Sequence, residues 1–223
     1  MLNPEIAEVR AVARRIYRQA GPVTRALSLG RPSICPFHIL AGHVPPGTNM
    51  LDIGCGAGLF LNYLASRDRI RMGYGFDASQ PAIATANTAL SYTGTRAKVA
   101  FRHRSIEAGL PEGVFDVVSM IDVLHHVDPS AQRGAIETAL SRVAPGGRFI
   151  FKDIGLRPRW RAWANRLHDL VLAREWIHYV PVGDVVDWAA AAGFAPVHRQ
   201  TINMLWYGHE LVVFQSASAA GQS

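Results

Sequence analysis

Lysine is nearly absent from this chain: among 23 basic residues in 223, only Lys98 and Lys152 are lysines. Basic runs of the kind that track a nucleic acid backbone are absent too, and no appended RNA-binding module is visible. With 17 acidic residues the formal net charge is +6. An arginine-dominated excess suits phosphate and carboxylate partners. It also follows from codon usage in a genome rich in G and C, and by itself it speaks of solubility before function. Cysteine is scarce as well. Cys35 and Cys55 cannot build a disulfide framework or a four-cysteine zinc site. Long apolar runs are missing, since no stretch approaches the roughly 18 residues of a membrane span. MLNPEIAEVRAVARR at the start has early acids and no apolar h-region, so it does not read as a signal peptide. A reducing, cytoplasmic setting is the expectation.

What is abundant is apolar surface. Hydrophobic residues make up 49% and charged residues 18% of the chain, a balance that supplies a sizeable core and excludes wholesale disorder. The length suits one α/β domain with a small cap. Residues 4–20 predict an amphipathic helix, with Ile6, Val9, Ala13, Ile16 and Tyr17 on one stripe and Arg10, Arg14 and Arg18 on another face. Segment 21–48 is rich in Gly and Pro and reads as an irregular linker or lid. From residue 49 onward, strand and helix signals alternate. Strands are expected at 49–53, 72–76, 97–103, 115–121 and 147–153, and helices at 59–66, 81–90 and 129–143. That alternation argues for a parallel sheet covered by helices on both faces. Further helices are expected at 158–174 and 182–192. Strands at 194–203 and 210–215, joined by a turn around Tyr207 and Gly208, then form an antiparallel pair.

The sharpest signal is LDIGCGAG at 51–58. A strand runs into Gly54, Gly56 and Gly58 and then directly into a helix, so backbone N–H groups can approach a ligand closely. The third glycine falls one position too early for the GxGxxG dinucleotide loop, where Leu59 stands instead. About twenty residues later, Asp77 ends the second strand, where a carboxylate can accept both hydroxyls of a ribose.

LDIGCGAG, FDAS, and FDVVSMIDVLHHV followed by APGGRFIFKD resemble the class I S-adenosylmethionine-dependent methyltransferases, strongly over residues 48–155. The resemblance implies a doubly wound, Rossmann-like sheet of seven mostly parallel strands in order 3-2-1-4-5-7-6, the last antiparallel. It implies an N-terminal helix and lid segment (1–48), a methyltransferase domain (49–216) with a helical cap insertion (155–181) after strand five, and a flexible tail (217–223). Asp52, Gly54, Cys55, Gly56 and Gly58 would cradle the methionine part of S-adenosyl-L-methionine. Asp77 would hold the ribose, with Ala78 beside the adenine. The family usually places an Asp after strand three; here Ser105 stands in its place and Ile106 would flank the ring. Asp122, after strand four, would line the methyl end.

Methyl transfer from a sulfonium depends mostly on positioning, and a hydroxyl acceptor also benefits from a general base. Candidates are His126 and His125 in DVLHHVDP and Asp153 at the end of strand five. Each also has a plain structural reading, in the pocket wall or as a cap. His178 and Tyr179 join Trp160 and Trp163 as candidate walls of the acceptor pocket, although an aromatic stripe at helical spacing also suits a core. No metal cluster has convincing spacing. The expected activity is methylation of a small molecule, with a hydroxyl of an aromatic or polyketide-like compound favoured. Carbon on a quinone-like ring and lipid or carrier-tethered acceptors are the alternatives. A nucleic acid methyltransferase or a non-catalytic cofactor-binding protein is less well supported, and oligomeric state is open.

Overall fold

The computed structural model describes residues 4–155, 178–205 and 207–217. Chain contacts divide it into two compact units, Met1–Gly109 and Leu110–Ser223. The first holds helices α1 (Pro4–Ile16), α2 (Pro22–Ile34), α3 (Phe37–Gly42), α4 (Leu59–Ser66) and α5 (Gln80–Leu90) with strands β1 (Thr48–Ile53), β2 (Ile70–Asp77) and β3 (Lys98–His103). The second holds β4 (Phe115–Ile121), a single 3₁₀ turn (Leu124–His126), α6 (Pro129–Leu140), β5 (Val143–Ile154), α7 (Val182–Ala191), β6 (Phe194–Met204) and β7 (Tyr207–Ser216).

The strands form one seven-stranded sheet in the order β3-β2-β1-β4-β5-β7-β6, as the resemblance implies. In the first unit, β2 pairs in parallel with both β1 and β3. In the second, β4 and β5 are parallel, while β7 runs antiparallel to β5 and to β6. The burial of β1 and β4 explains why both read as near-continuous apolar runs: nearly every residue of each is buried. Strands covered on both faces lose the polar alternation of a half-exposed sheet. Helix α4 is likewise buried from Leu59 to Ala65.

Helix starts follow local chemistry. Pro22 and Pro129 open α2 and α6 in the first turn, where a missing N–H is harmless. The Ser79 hydroxyl accepts from the Ala82 N–H and the Asp128 carboxylate from the Ser130 N–H, capping α5 and α6.

Several expectations need correction. The first helix ends at Ile16, not residue 20, and segment 21–48 is not irregular, because α2 and α3 occupy much of it. Pro22, Gly30 and Pro32 look like breakers, yet Pro22 is a helix starter and Pro32 falls in the last turn. Helix α6 stops at Leu140, and β5 begins at Val143, earlier than expected. Tyr207 and Gly208 belong to β7; Met204 pairs with Tyr207, so the connection is two residues long. Leu205 turns there at φ 53°, a left-handed conformation unusual for leucine. The expected helix at 158–174 lies outside the described residues. Among the described residues, no helix is long and apolar enough to cross a membrane.

Candidate active site

In the first unit the candidate residues gather at the carboxyl ends of β1 and β2. Asp52 is buried near the end of β1. Gly54, Gly56 and Gly58 then take φ values of 68°, 54° and 77°, the left-handed region that favours glycine. At Gly58 the requirement is also spatial, since a Cβ would lie 2.8 Å from the Ala86 Cβ and from the Phe101 ring. At Gly56 an added Cβ would meet nothing within 4 Å, so the loop presents an open peptide edge there. Burial pushes the pKa of the Cys55 thiol up, and the nearby Asp52 and Asp77 carboxylates push it up further, so the thiol stays neutral.

Asp77 does more than end a strand. Its Oδ2 accepts from the Gly56 N–H at 2.8 Å and its Oδ1 from the Ser79 N–H at 2.8 Å. One carboxylate thus ties the glycine loop to the start of α5. Each oxygen retains a second lone pair, so the geometry suits a ribose diol as an additional donor. Ala78 accepts from His103 Nε2 at 2.9 Å through its carbonyl, which requires the proton on that nitrogen. Ser105 and Ile106 follow β3, where their carbonyls accept from the Ala108 and Gly109 N–H groups and close a turn. Open space over Gly56, beside a carboxylate with lone pairs to spare, fits an adenosyl group carrying an amino acid.

In the second unit the candidates gather at the ends of β4 and β5. Asp122 adopts φ 56° and pairs with the ammonium of Lys152, a side chain with no exposure. His125 and His126 share the 3₁₀ turn, with ring centroids 4.1 Å apart, but their surroundings differ. His125 is buried and its Nδ1 bonds the Asp153 carboxylate. The same carboxylate accepts from the His125 N–H at 3.2 Å and the Ile154 N–H at 2.7 Å. A proton on Nδ1 facing a carboxylate makes Nε2 the basic nitrogen of the neutral ring. His126 is exposed.

His178 donates its N–H to the His125 carbonyl at 2.9 Å, and its own carbonyl accepts from Gln132 Nε2 at 2.9 Å. Gln132 also reaches the Leu124 and Val127 carbonyls, at 3.3 and 3.2 Å, so one buried amide gathers three stretches of chain. Tyr179 follows, half-buried. Trp160 and Trp163 lie outside the described residues. Among the described residues, no set of His, Cys, Asp or Glu side chains is arranged to hold a metal ion. Sequence reasoning missed Lys152 and Gln132 as parts of this cluster. The one available signal was a lysine directly after the apolar run Phe149–Phe151 in a central strand.

Residues 13–199 match the family model described as a methyltransferase domain. A ubiquinone biosynthesis O-methyltransferase of Ruegeria pomeroyi is 29% identical over 211 residues, which cover 90% of this chain and 74% of that protein. A mitochondrial ubiquinone biosynthesis O-methyltransferase of Schizosaccharomyces pombe is 31% identical over 141 residues, 61% of this chain but only 47% of the relative. Among solved structures, a magnesium protoporphyrin IX methyltransferase from Synechocystis with bound S-adenosylhomocysteine superposes with a TM-score of 0.66 at 20% identity, covering 93% of each chain. A methyltransferase from Methanosarcina mazei gives a TM-score of 0.65 at 22% identity over 81% of this chain and 97% of the other. At those identities the structures establish the fold alone.

Proposed function

The chain belongs to the methyltransferase-domain family as an S-adenosylmethionine-dependent small-molecule methyltransferase, and we propose that its acceptor is a hydroxyl oxygen on an aromatic or polyketide-like compound. The observation that carries this reading is the unequal pair of histidines on one turn. His125 is buried and tied to Asp153, while His126, beside it, is exposed. In this reading His126 is the general base that takes the acceptor's proton. Asp153 and His125 act through it by holding the turn in place, with Gln132 and His178 bracing the same backbone.

The bound cofactor supplies an activated methyl group on a positively charged sulfur. The chain's own part is positioning and proton removal. Gly54, Cys55, Gly56 and Gly58 offer the backbone cradle, Asp52 and Asp77 the carboxylates, and Ala78, Ser105 and Ile106 the surroundings of the adenine. Asp122 stands at the end of β4 as the group nearest in role to the methyl end. His178 and Tyr179 serve as acceptor-pocket wall. The relatives' names, ubiquinone biosynthesis O-methyltransferases, support oxygen over carbon as the acceptor atom and a small molecule over a nucleic acid.

The test is transfer of a labelled methyl group from the cofactor to a panel of phenols, catechols and hydroxyquinols. Methyl ethers formed by the wild type, and lost in His126→Gln with cofactor affinity retained, are the expected result. Product methylated on carbon, or full turnover by His126→Gln, overturns the assignment.

A further inference from the structure

Tyr17 stands just beyond α1, some forty positions before the glycine loop in sequence, yet its side chain is 1% exposed. Its phenol donates to the carbonyl of Ala57, between Gly56 and Gly58, at 2.8 Å. The surrounding loop amides are engaged as well. Cys55 donates to the Phe76 carbonyl at 3.0 Å, Gly56 to Asp77, and Gly58 to the Cys55 carbonyl at 2.9 Å. The peptide joining Ala57 to Gly58 is therefore held at both ends, its N–H by the loop itself and its carbonyl by Tyr17.

A loop with three left-handed glycines has little steric preference of its own. Its shape is set by the bonds made to it from outside, and these come from two directions. Phe76 and Asp77 reach it from β2, and Tyr17 reaches it from the N-terminal segment. That segment buries Val9, Val12, Ala13 and Ile16 of α1. Glu8 pairs with Arg67 at 2.8 Å, Arg10 bonds the Ser33 hydroxyl, and the Arg18 guanidinium lies 4.1 Å from the centroid of the Tyr92 ring. Burial holds the Tyr17 phenol well above its ordinary ionisation range, so it remains an O–H donor at every physiological pH.

We propose that Tyr17 is a positioning residue for the cofactor loop and couples the N-terminal helices energetically to S-adenosylmethionine binding. The proposal rests on the assignment of residues 54–58 as the cofactor cradle. Coupling of this kind is reciprocal: if the anchored helices hold the loop ready for the cofactor, the bound cofactor steadies the helices by the same factor.

The experiment compares wild type, Tyr17→Phe and Asp77→Ala. Tyr17→Phe keeps the buried ring and removes only the hydroxyl. One lost hydrogen bond of ordinary worth weakens cofactor binding about fivefold by calorimetry. The KM for the cofactor rises in step, while kcat at saturating cofactor falls less than twofold. Amide exchange in residues 4–34 slows on addition of cofactor in the wild type, and much less so in Tyr17→Phe. Unchanged affinity in Tyr17→Phe overturns the proposal, including the case where only the thermal midpoint falls, provided Asp77→Ala has lost binding. If Asp77→Ala also binds normally, the cradle assignment itself fails and the proposal fails with it.

Discussion

The ammonium of Lys152, without any solvent exposure in β5, is paired with the carboxylate of Asp122 at the end of β4. The two residues are joined a second time through the backbone, where the Asp122 N–H donates to the Lys152 carbonyl at 2.8 Å. Asp122 sits in the left-handed region without being glycine, a conformation that costs about 1–3 kcal/mol and persists only where surroundings impose it. Removing one partner leaves the other charge buried and uncompensated. Lys152→Met should destabilise the fold by about 3–5 kcal/mol, measured by urea unfolding. Lys152→Met combined with Asp122→Asn should recover most of that loss. A double variant as unstable as the single one would show that packing, not charge, is what Lys152 supplies.

Asp77 offers a second test. Its two oxygens hold the Gly56 and Ser79 amides, so its removal loosens the cradle as well as deleting the ribose acceptor. Asp77→Ala should weaken cofactor binding by about 10²-fold or more, the loss of two charge-assisted bonds to the ribose hydroxyls. Calorimetry reads this directly, and wild-type affinity would remove Asp77 from the site.

For the histidine turn, His126→Gln should lower kcat by about 10²-fold or more, the ordinary contribution of a general base, and leave cofactor affinity within about twofold. Asp153→Asn should lower both kcat and thermal stability, because the Asp153 carboxylate holds the His125 ring and two backbone amides. If Asp153→Asn alters only stability, the pair is structural and has no influence on turnover.

Gly75 lies in β2 where a Cβ would come within 2.8 Å of the Phe101 ring, 3.0 Å of the Cys55 sulfur and 3.0 Å of Leu61. Gly75→Ala should cost about 1–3 kcal/mol by overpacking. The shift of Cys55 should weaken cofactor binding at the same time. Unfolding and binding measured on the same variant separate the two effects.

Burial lowers the pKa of His38 in α3, and the Glu5 carboxylate opposes that shift only in part. The unfolded imidazole titrates near 6.5, so below that pH the unfolded chain holds a proton the folded chain resists. Stability should therefore decline as pH falls through 6.5 and level off below the folded value. His38→Gln should show a smaller fall in melting temperature between pH 7.5 and 5 than the wild type. Parallel melting curves for the two proteins would exclude His38 as a contributor.

The central strands and the helix after the glycine loop were legible because burial on both faces writes itself as continuous apolar sequence. Helix 59–66 and strand 115–121 are observed at the limits expected. The N-terminal region was misread because Pro22, Gly30 and Pro32 signal interruption by composition, whereas Pro22 starts α2 and the helix continues through Gly30 and Pro32 despite their poor helix propensity. In the site, His125, His126, Asp77 and Asp153 were recognisable as individual residues. Their partners were not. Lys152 meets Asp122 across thirty residues and Tyr17 meets Ala57 across forty, and no local periodicity encodes such pairings.

The strand order leaves β3 and β6 as the two edges of the sheet. An open edge is a template on which another chain can polymerise, and both edges here are defended. In β3, Lys98, Arg102 and His103 are exposed. In β6, Pro196 has no N–H to offer, the register slips between Pro196 and His198, and Arg199 is exposed. Part of the basic excess thus guards against aggregation. Neutral, β-prone residues at 102 and 199 should raise self-association, read by light scattering on the purified variant.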